Sequence, residues 1–272
     1  MKLGNRYSAE FILLAAVSVI SVLGFWDLYF GADADPRPHH HLHLVTAFTW
    51  LCLLLIQLIS VSRRSFPSHR QVGLAVLFIG PLLVATTATL SVLSAHRALT
   101  SGEEDALIVQ NVMVTLQFGL LVFLAFLLKR NRMLHGSLLF STLILFGGIA
   151  LFFTLLSFVP IFKIEGPETF YRFGTAAIPG QTICLVAGAL LFASNPKTRW
   201  PYLLAASFFL LNEAINYGLA SFDLSYPATE IVGSFDPMFT FAAAFAVQFA
   251  LLYATLFPLS RRSPPISPPV RG

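Results

Sequence analysis

Four histidines crowd the entry to an apolar stretch: His39, His40, His41 and His43. From His43 a polar stripe continues at Trp50 and Gln57, with apolar residues filling the gaps to about Ser60. Steps of seven advance an α-helix by about two turns, so these three side chains share one face. Imidazoles at the mouth of a helix, above an aligned indole and amide, suit a lined cavity or a ligand site. His39 and His43 stand four apart, and with His96 or Glu213 they form a candidate metal site. Imidazole and carboxylate donors suit zinc, copper or iron. A second reading places two b-type haems between histidines at two levels, with His39, His40, His41, His43 and His96 at one and His69 and His135 at the other. A third leaves the histidines hydrogen-bonded or solvated.

Glu213 is the other reactive candidate. It lies in Asn212-Glu213-Ala214-Ile215-Asn216-Tyr217, where Asn212 and Asn216 are four apart, as are Glu213 and Tyr217. The spacing predicts a polar face about one turn long. An ionisable group inside an apolar helix is costly and marks a candidate site. A carboxyl there suits a proton carrier, a cation ligand or a hydrogen-bonded packing residue. Gln110 and Gln117, seven apart, add a second amide-bearing face.

The elements that must position these residues are membrane helices. The chain has 272 residues, 56% hydrophobic and only 11% charged, and a mean hydropathy of +0.76. Soluble domains carry about a quarter charged residues. A span needs about 20 predominantly apolar residues. That rule gives eight: Phe11–Phe30, His43–Val61, Val72–Leu93, Ala106–Leu128, Leu139–Phe162, Thr175–Ala193, Tyr202–Ala220 and Met238–Phe257. The expectation is an all-α polytopic bundle, one membrane-embedded domain over residues 1–260, with a disordered cytoplasmic tail over 261–272. Pro81 and Pro179 fall inside spans, where neighbouring helices can satisfy the freed backbone groups.

Charge orients the bundle. Lys2, Arg6, Arg63, Arg64, Arg70, Lys129, Arg130, Arg132, Lys197, Arg199, Arg261, Arg262 and Arg271 fall on the side of the N-terminus, leaving four of the seventeen Lys and Arg opposite: Arg37, Arg97, Lys163 and Arg172. Asp33, Asp35, Glu103, Glu104, Asp105, Glu165 and Glu168 share that opposite side. Such asymmetry in short loops predicts both termini in the cytoplasm of a bacterial inner membrane, with the histidine run facing the periplasm. Ala32-Asp33-Ala34 is like a signal-peptidase site, but the long apolar stretch and Trp26-Asp27 argue for a retained helix.

Cys52 and Cys184 lie in apolar segments and form no CxxC pattern. HxxHH, HExxH, GxSxG and P-loop patterns are absent, and no late span carries a lysine for a retinal Schiff base. The basic residues sort by loop, which argues against nucleic acid as a partner. The bilayer is the expected partner, together with other membrane subunits if the chain is part of a complex.

His41-Leu42-His43, Trp50 and Gln57 are followed by His69-Arg70-Gln71-Val72-Gly73 and by Arg130-Asn131-Arg132-Met133-Leu134-His135. In this order the motifs resemble a group of uncharacterised bacterial polytopic inner-membrane proteins with HxH…W…Q, HRxxG and RNxxLH. The likeness covers about residues 39–150 and implies a helical membrane fold. Gly136 and Leu139 stand where that group often has Arg and Met.

Three functions follow from these residues. The first is a periplasm-facing site that binds a metal or small ligand and is redox-linked in one version, built from His39, His43, His96, Trp50, Gln57, Gln110, Asn212, Glu213, Asn216 and Tyr217. The second is a proton-coupled transporter using Glu213. The third is a non-catalytic accessory subunit, whose 27 Phe would face lipid or partner.

Overall fold

The computed structural model describes residues 7–257, and all regular structure among them is helical. The elements are α1 (Ser8–Gly24), α2 (Pro38–Ser62), α3 (Phe66–Thr100), α4 (Ile108–Leu127), α5 (Arg132–Phe158), α6 (Arg172–Ser194), α7 (Pro196–Ser221), α8 (Ser225–Gly233) and α9 (Pro237–Ala254). The tail expected over 261–272 lies outside the described residues.

Seven of these helices, all but α1 and α8, are long and apolar enough to cross a membrane. In hydrocarbon every backbone N–H and C=O must find a partner within the segment, which the continuous helices provide. Eight spans are expected from the sequence, and the difference is the first. α1 has 17 residues, and the chain continues through a π-helical turn, Trp26–Phe30, instead of extending the α-helix.

Helix starts are written locally. α2, α3, α7 and α9 have Pro in the first turn, where its missing N–H costs nothing. The Asn131 side chain accepts from Leu134 N (3.2 Å) to cap α5, and Asp236 accepts from Phe239 N (2.7 Å) to cap α9.

α5 is the central helix, packed on α1, α4, α6 and α7, while α2, α4, α8 and α9 pack around α3. Trp50, Tyr202, Leu138 and Leu143 are fully buried in the core. The long helices, short α8 aside, alternate in direction, with the starts of α1 and α7 paired through Glu10 and Arg199 and the ends of α4 and α9 through Lys129 and Thr255. One end gathers the starts of α2, α4 and α6 with the histidine run; the other gathers Arg63, Arg64, Lys129, Arg130 and Lys197. Large apolar side chains such as Leu190, Ile231, Met238 and Phe239 face outward. Together with the long apolar helices, this is consistent with an integral membrane protein.

α8 is not legible from hydropathy, being only nine residues. It rests against α3. The His96 Nε2–H donates to the Gly233 carbonyl at 2.5 Å, and Asp105 N donates to Thr229 Oγ1 at 3.1 Å.

Candidate functional site

A cavity of about 690 Å³ occupies the histidine end, walled by α1 to α7 and by Ser225 at the start of α8. Its rim carries Arg37, His39, His40, Arg97, Glu104 and Asp105. The lining residues furthest from that end, Leu51, Leu83, Phe118, Leu145 and Phe209, are all apolar. The space is the size of a small-ligand pocket, which typically runs to about 300–1,000 Å³.

Glu213 stands on the α7 wall between two amides. Gln181 Nε2 donates to its Oε1 at 2.6 Å and Gln110 Nε2 to the same oxygen at 3.5 Å. At the adjacent position of α7, Asn212 exchanges hydrogen bonds with Gln117 of α4, at 2.6 and 3.4 Å. Gln110, Asn212, Glu213 and Asn216 all line the cavity. Tyr217 does not: it is 77% exposed on the outside of α7.

The α6–α7 hairpin sets the Gln181–Glu213 pair. Gly188 packs so closely on α7 that an added Cβ would stand 2.7 Å from Tyr202 O and from Ala206 Cβ. Gln181 precedes Gly188 by seven residues and Glu213 follows Ala206 by seven. In an antiparallel pair, two turns from the close contact therefore bring these side chains opposite each other. Small residues at the crossing are what let the backbones approach.

The stripe His43, Trp50 and Gln57 points into the protein, but only His43 reaches the cavity wall. His43 Nδ1 lies 3.2 Å from the Thr86 hydroxyl on α3. Trp50 Nε1 donates to Thr142 Oγ1 on α5 at 3.1 Å, with its ring edge-on to Phe118. Gln57 Nε2 donates to the His69 carbonyl at 3.1 Å. The stripe joins α2 to its neighbours.

The metal set expected from the sequence is not assembled. Among the described residues no three His, Cys, Asp or Glu side chains gather closely enough to hold a metal ion. His39 and His43 border the cavity, but His96 is turned to the Gly233 carbonyl beneath α8. His41 Nδ1 is 2.5 Å from the Tyr29 hydroxyl, and the His135 Nδ1–H donates to the Ala125 carbonyl at 2.7 Å. His69 and His135 lie in the first turns of α3 and α5, just ahead of the spans expected from Val72 and Leu139.

Two features are absent from the sequence reading. Thr86 joins His43 and Thr46 and is one of many threonines in apolar helices, so nothing marks it. At the far end Arg199 pairs with Glu10 at 2.6 Å and donates to Ser194 Oγ, tying α1 to α6 and α7. An acid within the first helix and a base before the seventh span are the only signal.

Compared with known protein families, curated proteins and solved structures, the chain matches none.

Proposed function

We propose that this is a multi-pass membrane protein that binds a small ligand in the cavity at its histidine end. The reading takes α1 with its π turn as an eighth span, both termini in the cytoplasm and the cavity open to the periplasm of a bacterial inner membrane. The Lys and Arg asymmetry supports that orientation. The observation that carries the function is the cavity itself, whose polar rim and apolar floor suit an amphipathic molecule. An accessory subunit with satisfied polar groups would have no need of such a space.

Glu213 keeps a second reading in view, a proton-coupled carrier, because the carboxyl faces the cavity at membrane depth. A carrier also needs a route onward. In the other half of the bundle Trp50, Leu138, Leu143 and Tyr202 are fully buried, so a carrier would have to open that half by moving its helices.

Extraction and mass spectrometry of small molecules that copurify with the protein in lipid nanodiscs tests the proposal. Ala47→Trp and Ala177→Trp place bulk at the cavity wall and should each lower the occupancy of the extracted ligand severalfold. Unchanged occupancy in both variants would remove the cavity as the site.

A further inference from the structure

The cavity's charge and hydrogen-bonding pattern narrow its ligand. Its charged lining residues are Arg37, Arg97, Glu104, Asp105 and Glu213. The first four lie nearest the histidine end, two of each sign, with Asp105 buried among them. Glu213 is therefore the unbalanced charge, set below the rim.

Among the described residues no cation pairs with it. The two ion pairs among the described residues are Arg172–Glu165 and Arg199–Glu10. Gln181 and Gln110 both direct NH₂ groups at Oε1 of Glu213. With its NH₂ committed there, Gln110 leaves its Oε1 buried and without a partner. A buried acceptor left unmade costs roughly 1–3 kcal/mol, so a donor belongs there.

The surroundings are aromatic. Phe209 lies one turn from Glu213 on the same face of α7, and Phe152, Phe153 and Phe173 also line the cavity. Phe152 meets Phe173 edge-on at 4.9 Å and Phe153 at 5.0 Å. A carboxylate, a free carbonyl and phenyl faces are complementary to an ammonium group, which donates hydrogen bonds and is attracted to aromatic rings.

We propose that Glu213 and the free carbonyl of Gln110 form an acceptor-only subsite for the protonated amine of an apolar organic cation. This rests on the cavity-binding reading above and names its ligand class. The hydrocarbon portion lies against Phe118, Phe146 and Leu145, and the ammonium replaces the counter-charge that Glu213 lacks. No bond is made or broken.

The test uses three probes with one ten-carbon chain: decylammonium, decanol and decanoate. Binding to the full-length protein in nanodiscs is measured by equilibrium dialysis, with empty nanodiscs subtracted for partitioning. Decylammonium should bind tightest. Glu213→Gln should weaken it by about tenfold or more, as expected for a charge-assisted hydrogen bond, and leave decanol unchanged. Glu213→Asp should keep part of the preference. If Glu213→Gln loses decanol as well, Gln110→Leu takes its place, with the same selective loss of decylammonium expected. Decanol or decanoate binding as tightly as decylammonium, or no selective loss in either variant, would overturn the cation subsite and leave the cavity reading standing. Binding of none of the three would overturn both.

Discussion

Gln117 on α4 and Asn212 on α7 are paired through both amides, Nε2 to Oδ1 at 2.6 Å and Nδ2 to Oε1 at 3.4 Å. Both side chains are buried, at 3% and 2% exposure. Removing one leaves the other without its partner in an apolar setting. Gln117→Leu or Asn212→Leu should each cost about 1–3 kcal/mol. The double variant should lose less than the sum of the two. Unfolding in mixed detergent micelles gives the cycle, and strict additivity would show that the pair contributes nothing as a pair.

Trp50 separates packing from ligand binding. Trp50→Phe keeps most of the buried ring and gives up the bond to Thr142, so stability should fall by about 1–2 kcal/mol. Ligand occupancy should not change, because the indole is outside the cavity lining. A loss of ligand at unchanged stability would return Trp50 to the site.

Gly188 controls a contact it does not touch. Gly188→Val forces α6 away from Tyr202 and Ala206, and the Gln181–Glu213 bond two turns on should break. The measurement is the infrared carboxylate band of Glu213, identified by its disappearance in Glu213→Gln. The band should shift in Gly188→Val as it does in Gln181→Leu. A band that stays in place would mean the pair does not depend on the hairpin crossing.

Topology is checked by labelling. In a background of Cys52→Ala and Cys184→Ala, a cysteine replacing Asp35 should react with an impermeant maleimide added to intact cells. One replacing Arg130 should react only after the membrane is opened. The reverse pattern would invert the proposed orientation.

How much of this was legible in the sequence depends on which physical signal each residue emits. Hydropathy runs mark seven long apolar helices, because exclusion from water is a property of each segment alone. The helical period aligns His43, Trp50 and Gln57, but a shared face does not say what the face meets. Here it meets Thr86, Thr142 and the His69 carbonyl. Glu213 announces itself by the cost of its charge. Its partners are 32 and 103 positions away, and only the helix packing brings them to it. Tyr217 shows the limit of spacing. Four residues advance a helix by about 40° beyond a full turn, and that rotation carries Tyr217 to the outer surface while Glu213 faces the cavity. His96 answers to α8, an element too short for hydropathy to reveal.

A single residue, Asn195, separates α6 from α7. This hairpin carries both Glu213 and its shorter hydrogen-bond partner, while the stripe that binds α2 to α3 and α5 lies entirely in the first half of the chain. The hairpin is itself jointed to the frame, through Arg199 to Glu10 and Asn212 to Gln117. Recoding Gln181 and Glu213 alone would change the polarity of the cavity wall while leaving those joints in place. On this protein, engineering a new ligand preference is a problem of one hairpin.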